Sequence, residues 1–205
     1  MKKLKIGITG GIGSGKTTVC KIFETLGIPV YYADERAKAL YLENDTLRAG
    51  AIAIFGEKAY LENGDFNRKL VADEAFKNPE ILKKLNALVH PAVLKDGNDW
   101  HDAQTNVPYT LKEAALLYES GGDKVLDKII TVFATKELRI ERVIMRSEGT
   151  MTKEDVEARM AKQMSDEEKK KRADFTIVND GITPLLPQIL LIHNFILAEI
   201  LTQNM

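Results

Sequence analysis

Eight residues near the N-terminus, Gly10-Gly11-Ile12-Gly13-Ser14-Gly15-Lys16-Thr17, satisfy the pattern G-x-x-x-x-G-K-[ST]. Glycines let backbone N–H groups close around a phosphate that side chains would keep at a distance. A helix opening near Lys16 adds its positive N-terminal dipole. Lys16 then supplies a point charge to the β- and γ-phosphates, and the Thr17 hydroxyl can ligate Mg²⁺. A glycine-rich turn with a chance lysine is the bland alternative, and the two extra glycines and the flanking strand and helix patterns weigh against it. The expected binding set is Gly11, Ile12, Gly13, Ser14, Gly15, Lys16 and Thr17, with ATP and Mg²⁺ as cofactors. The loop alone is silent on the reaction that follows.

Two further sets of residues narrow the reaction. Val30-Tyr31-Tyr32-Ala33-Asp34 places a carboxylate at the end of the next apolar run. In a kinase of small molecules that position faces the acceptor, where an acid can take or orient a hydroxyl proton for in-line attack. Asp34 is also good capping chemistry for a helix beginning Glu35-Arg36-Ala37-Lys38, and the two roles are compatible. Arg139, Arg142 and Arg146 fall at i, i+3 and i+7, so one helical face carries three guanidinium groups. They read either as a lid closing over a triphosphate or as a solvated helix. The strings D-x-x-G and N-K-x-D, usual in GTPase switches, do not occur.

These residues need a scaffold. Apolar β-rich runs at Leu4 to Thr9, Ile28 to Ala33, Tyr109 to Glu113, Lys128 to Ala134 and Phe175 to Val178 alternate with helical patterns. That alternation predicts an α/β fold with a five-stranded parallel sheet covered on both faces. Ala33 to Tyr109 is far more chain than one crossover needs, and it reads as a helical insert over 35–105. A second helical excursion, with capping boxes expected at Thr152/Asp155 and Ser165/Glu168, makes 137–172 the lid. The core of the single domain, 1–205, is then 1–34, 106–136 and 173–205. Leu185 to Leu201 is the most hydrophobic stretch, but Pro187, Gln188, His193, Asn194 and Glu199 interrupt it. It predicts a terminal helix packed on the sheet, with Thr183 as N-cap and Pro184 at its first position, rather than a membrane span.

Composition sets outer bounds. The 29 Lys plus Arg nearly cancel the 30 Asp plus Glu in 205 residues. No global field then attracts a phosphodiester backbone, so no nucleic-acid or membrane partner is expected and any anion must be gripped locally. A single Cys20 excludes an internal disulfide and fits a cytoplasmic location, and the N-terminal residues lack a signal-peptide pattern. Trp100, His101 and His193 have no partners at metal-ligand spacing and read as surface or packing residues. Nothing in the sequence fixes an oligomeric state.

Taken together, the motifs resemble the dephospho-CoA kinase family over nearly the whole chain. Thr9 to Thr17 is similar to that family's phosphate loop, and Ala33-Asp34 to the end of its second-strand motif. Ile54-Phe55-Gly56, Asn63 to Arg68 with Leu70, and Asn86 to Pro91 follow in the expected order. So do Leu116-Leu117-Tyr118-Glu119, Arg142 with Arg146, Gln163, Ala173-Asp174 and Asn179-Asp180-Gly181. The resemblance implies transfer of the ATP γ-phosphate to the ribose 3′-hydroxyl of dephospho-CoA, and a nucleoside-kinase-like P-loop sheet in the order 2-3-1-4-5. It implies Lys16, Asp34, Arg142 and Arg146 as catalytic residues and Thr17 as the metal ligand. Asn179 and Gly181 fall beside the nucleotide, and Asp34, His90, Leu116 and Glu119 toward the acceptor. A histidine before proline is equally at home in a purely structural role. The sequence departs from the family pattern at Tyr32, where an acid is usual, at Ala115, where proline is usual, and over Lys95 to Val107. The competing readings are another P-loop small-molecule kinase, such as a nucleoside monophosphate kinase, or a module that uses ATP only as a conformational ligand.

Overall fold

A computed structural model describes residues 3–203 of the chain. In order along the chain the elements are β1 (Leu4–Thr9), α1 (Lys16–Thr25), β2 (Val30–Tyr32), α2 (Ala33–Glu43), α3 (Asp45–Phe55), α4 (Arg68–Lys77) and α5 (Pro79–Ala103). Then come β3 (Tyr109–Glu113), β4 (Lys128–Phe133), α6 (Lys136–Arg146), α7 (Lys153–Met160), α8 (Asp166–Arg172), β5 (Phe175–Val178) and α9 (Leu185–Gln203). The strands form one sheet in the order β2-β3-β1-β4-β5, every pair parallel. The expected strand order is therefore found.

Among the described residues, those up to Tyr32 and those from His101 onward form one compact unit and Ala33–Trp100 another. In the sheet unit, β1 is central and almost wholly buried, because both faces are covered. Leu4, Ile6, Ile8, Tyr109, Leu111, Ile130, Val132 and Ile177 supply the strand side of the core; Val19, Cys20 and Phe23 of α1 pack on it. From α9, Ile189, Ile192, Ile196 and Ile200 join the same cluster. Their spacing of three and four residues gives one helical stripe. By length and composition α9 could also cross a membrane; here that stripe is buried in the protein core.

Four local expectations need correction. α9 begins at Leu185, so Pro184 precedes the helix instead of opening it, and Thr183 does not cap it. The Asp180 carboxylate accepts from the Ile182 and Thr183 amides at 2.9 and 2.7 Å and from the Thr183 hydroxyl at 2.9 Å, which draws that hydroxyl away from the helix. β2 is shorter than the apolar run because Ala33 already starts α2, and the Ile28 amide turns back to the Phe23 carbonyl at 3.1 Å. β4 stops at Phe133 because Thr135 caps α6, accepting from the Leu138 amide. The capping box at Thr152/Asp155 forms in both directions, whereas Ser165 accepts from the Glu168 amide at 3.2 Å without the return bond.

The helical unit has its own core of Leu40, Tyr41, Leu47, Ala51, Phe55, Ala59, Tyr60 and Val71. Phe66 stacks on Tyr41 with ring centroids 3.7 Å apart, and the Tyr60 hydroxyl donates to the Tyr41 carbonyl at 2.8 Å. Asn44 and Asn67 cap α3 and α4 by accepting from Leu47 and Leu70. Arg36 of α2 makes a two-pronged bond to Asp96 of α5, 3.0 Å on each arm, which pins the first helix of the unit to the last. α5 runs unbroken through Pro91.

Candidate active site

The link from β1 to α1 carries the glycine-rich loop. Ser14 N–H donates to the Gly11 carbonyl at 3.1 Å, and α1 starts at Lys16, so its free N-terminal amides open onto the loop. At Gly13, φ is +79° and a Cβ would stand 2.4 Å from the Arg139 carbonyl, so both backbone and space demand glycine there. At Gly11 a Cβ would meet an Arg139 Nη1 only 1.5 Å away.

Lys16 is buried, and its Nζ donates to the Gly10 carbonyl at 3.1 Å and, at longer range, to that of Gly11 at 3.5 Å. It also lies 3.8 Å from the Glu113 carboxylate. Thr17 is exposed on the first turn of α1. Two polar atoms beside the loop, Ser14 Oγ and Arg139 Nε, are buried with no hydrogen-bond partner. Buried donors of this kind are rare without a ligand or water to satisfy them. Both fit an anion seated in the loop, and the exposed Thr17 hydroxyl fits a metal held beside it.

The excursion between β4 and β5 closes over the same loop. Thr135 caps α6, which aims Arg139 at the glycines, where its Nη1 donates to Asp166 of α8 at 2.8 Å. The Gln163 side-chain carbonyl accepts the Ile12 amide at 2.9 Å. Arg142 donates to the Asn179 carbonyl at 3.0 Å, and the Asn179 side-chain amide donates to the Ser14 carbonyl at 2.8 Å. Gly181, with φ +84°, lies beside Arg142. Arg146, the last residue of α6, is exposed and makes no hydrogen bond or ion pair among the described residues. The three-arginine stripe is thus divided: Arg139 is buried and paired, Arg142 is half-buried against Asn179, and Arg146 faces solvent.

The turn after β3 is tied to the segment between α7 and α8 and to α8 itself. Leu117 is buried while Leu116 is 45% exposed. The Glu119 carboxylate accepts the Met164 amide at 2.6 Å and lies 3.8 Å from Lys169 Nζ. Lys169 is fully buried and donates to the Ala115 carbonyl at 3.2 Å. Burial pushes its pKa down, Glu119 opposes this, and the charges of Lys16 and Arg139 add to the fall. Nothing in the run Asp166-Glu167-Glu168-Lys169-Lys170-Lys171-Arg172 marked Lys169 as interior. Its neighbours Lys170 and Arg172 instead lie over the rings of Phe133 and Tyr118.

The structure therefore gathers Gly11, Ile12, Gly13, Ser14, Gly15, Lys16, Arg142, Asn179 and Gly181 around one loop. Asp34 and His90 belong to the helical unit. Asp34 is exposed in the first turn of α2, where the helix already includes Ala33, so it is not the N-cap; its charge there suits the helix dipole. His90 is exposed in mid-α5, one residue before Pro91. Sequence reasoning missed Glu113 and Lys169, whose signal is burial alone.

Known proteins bear on this arrangement. The sequence matches the family described as Dephospho-CoA kinase over residues 4–184. A Bacteroides fragilis protein named Dephospho-CoA kinase is 38% identical over 197 residues, 96% of this chain and 95% of that protein. Among solved structures, TT1252 from Thermus thermophilus superposes with a TM-score of 0.82 at 34% identity, covering 97% of this chain and 98% of that one. A Dephospho-CoA kinase from Campylobacter jejuni superposes with a TM-score of 0.69 at 26% identity over 100% of both chains.

Proposed function

The chain belongs to the dephospho-CoA kinase family, and from that premise we propose how its own residues carry the reaction. The activity is ATP-dependent phosphorylation of the ribose 3′-hydroxyl of dephospho-CoA, giving CoA and ADP, the last step of coenzyme A biosynthesis. The observation that carries the site assignment is the glycine loop flanked by two unpartnered buried polar atoms, Ser14 Oγ and Arg139 Nε, with Lys16 alongside.

The loop amides and the first turn of α1 bind the β- and γ-phosphates of ATP, and Lys16 leaves the Gly10 carbonyl for phosphate oxygens. Mg²⁺, where bound, neutralises phosphate charge; the Thr17 hydroxyl would hold it. Asn179 and Gly181 flank the nucleotide. Arg142 and Arg146 bring guanidinium groups to the charge that spreads over the transferring phosphoryl group. Arg146, uncommitted to any other partner, is the group most readily moved onto it. Asp34, two residues past the end of β2, accepts or orients the proton of the attacking 3′-hydroxyl. His90 and the exposed Leu116 serve the acceptor. Glu119 is assigned to the same side, though its carboxylate is already engaged by the Met164 amide. A cytoplasmic location belongs to this proposal, in keeping with the one cysteine, Cys20, being buried and free of any disulfide.

The test is ADP release by the purified protein with MgATP and, in turn, dephospho-CoA, adenosine, AMP and CMP. Dephospho-CoA alone should drive stoichiometric ADP release and yield CoA. Acceptor-dependent ADP with AMP or CMP instead would assign a nucleoside monophosphate kinase. No acceptor-dependent ADP at all would mean a module that only binds the nucleotide.

A further inference from the structure

Among the described residues, Glu113 is the one carboxylate that is buried, at 7% exposure. It ends β3, and its register partner in β1 is Ile8. The next amide, that of Ala114, donates to the Ile8 carbonyl at 3.1 Å. Because β3 lies directly beside β1, the strand that feeds the phosphate loop, this pairing carries the acid to the base of the loop. There it stands 3.8 Å from Lys16 Nζ, with both side chains only 10% exposed. Its charge is felt by other groups in the same cleft: burial first, and Glu113 after it, raise the Cys20 thiol, and burial together with nearby acids including Glu113 raises the Tyr32 phenol.

Burying a carboxylate is costly and a buried ion pair is a poor source of stability, so its presence asks for another reason. Lys16 supplies one. The carbonyl of Gly10 and the Glu113 carboxylate both attract the ammonium that a triphosphate needs. We propose that Glu113 is a positioning residue that acts as a competing counter-ion. It keeps the Lys16 ammonium at the base of the nucleotide-free loop and exchanges it for phosphate oxygens when nucleotide binds. The inference rests on the nucleotide-binding reading of the loop. The exchange makes the affinity for ATP and ADP lower than the loop amides and Lys16 alone would give. It also gives Lys16 a partner to return to as ADP leaves.

Isothermal titration of ATP and ADP in EDTA, without divalent metal, separates this from a structural role. A parallel titration of wild type with MgATP tests the nucleotide-binding reading itself, which fails first if no binding is seen there. Glu113→Gln keeps shape and removes charge, and should bind both nucleotides about three- to tenfold more tightly, because it takes away both the attraction that holds Lys16 back and the repulsion felt by the phosphates. Glu113→Asp withdraws the charge by one methylene and should fall between wild type and the glutamine variant. A side chain needed only for packing would weaken binding or leave it unchanged. If folded Glu113→Gln binds no more tightly than wild type, the counter-ion role is wrong. Should the glutamine variant not fold, the aspartate variant decides by the same criterion.

Discussion

The Arg139 guanidinium occupies the space directly above Gly11. Its Nη1 lies 1.5 Å from where a Cβ on that glycine would stand, and 2.8 Å from the Asp166 carboxylate that holds it there. The missing side chain at position 11 is therefore filled by an arginine from α6, and the glycine loop and α6 share one packed contact. Glycine at this position serves the neighbour's space.

From this follows the first prediction. Gly11→Ala must expel Arg139 from its seat and break the bond to Asp166, and should destabilise the protein by about 1–3 kcal/mol, as overpacking does. ATP affinity should fall as well. Arg139→Ala opens the same space, so adding Gly11→Ala to it should cost far less than in wild type. Thermal melts and ATP titrations of the four proteins close the cycle, and additive effects would show that the contact does not couple loop and lid.

Asp34 makes its prediction through kinetics. Asp34→Asn should lower kcat by about a hundredfold or more, the usual reach of a positioned base, while the Kd for ATP stays within about twofold of wild type. The exposed position in the first turn of α2 makes a large loss of stability unexpected. A variant that turns over normally would reduce Asp34 to a helix-dipole partner.

Arg142 and Arg146 should separate cleanly. Arg142 holds Asn179, which in turn holds the Ser14 carbonyl, so Arg142→Ala should weaken ATP binding and lower the Tm together. Arg146 has no such tie, and Arg146→Ala should cut kcat at unchanged Tm and nearly unchanged ATP affinity. Equal losses in kcat and ATP affinity for Arg146→Ala would make it a ground-state contact instead.

Acid stability should depend on His101, which is buried with Nδ1 2.7 Å from the Thr110 hydroxyl. Burial, then the charges of Lys3 and Lys5, push its pKa down from 6.5 to about 4, with Asp102 and Asp127 opposing. Between those values the unfolded chain binds the extra proton. Stability contributed by neutral His101 is thus complete above pH 6.5, declines as pH falls, and is gone near pH 4, a loss on the order of 3 kcal/mol. Urea unfolding at pH 7.5 and pH 5 measures it. His101→Gln should flatten the difference, and an unchanged slope would place the acid sensitivity elsewhere.

The strands and the loop were readable in the sequence because each rests on local signals: apolar runs and glycines at fixed spacing. Lys16 and Asn179 lie far apart in sequence yet both were singled out, Lys16 by the loop pattern and Asn179 by the family resemblance. What stayed hidden depends on long-range burial. Glu113 looks like an ordinary polar residue closing a strand, and nothing local to it shows that the fold sets it against Lys16. Lys169 sits in a charged run that reads as solvent-facing throughout, yet its helix delivers it to the Ala115 carbonyl. The arginine stripe was recognised as one face, but helical spacing says nothing of depth. Arg139 is buried at one end of that face and Arg146 exposed at the other because α6 leaves the loop as it proceeds.

The central place of β1 bears on how the protein is made. Both of its sheet neighbours, β3 and β4, lie later in the chain, the nearer ending at Glu113. During synthesis at about 5–20 residues per second, the strand bearing Leu4, Ile6 and Ile8 waits some 5–20 s for a partner. Over that interval an apolar strand followed by a flexible glycine loop is open to mispairing with other nascent chains. The segment that later grips phosphate thus stays exposed early in the polypeptide's life, and slowing the ribosome between residues 33 and 109 should lower the yield of soluble enzyme.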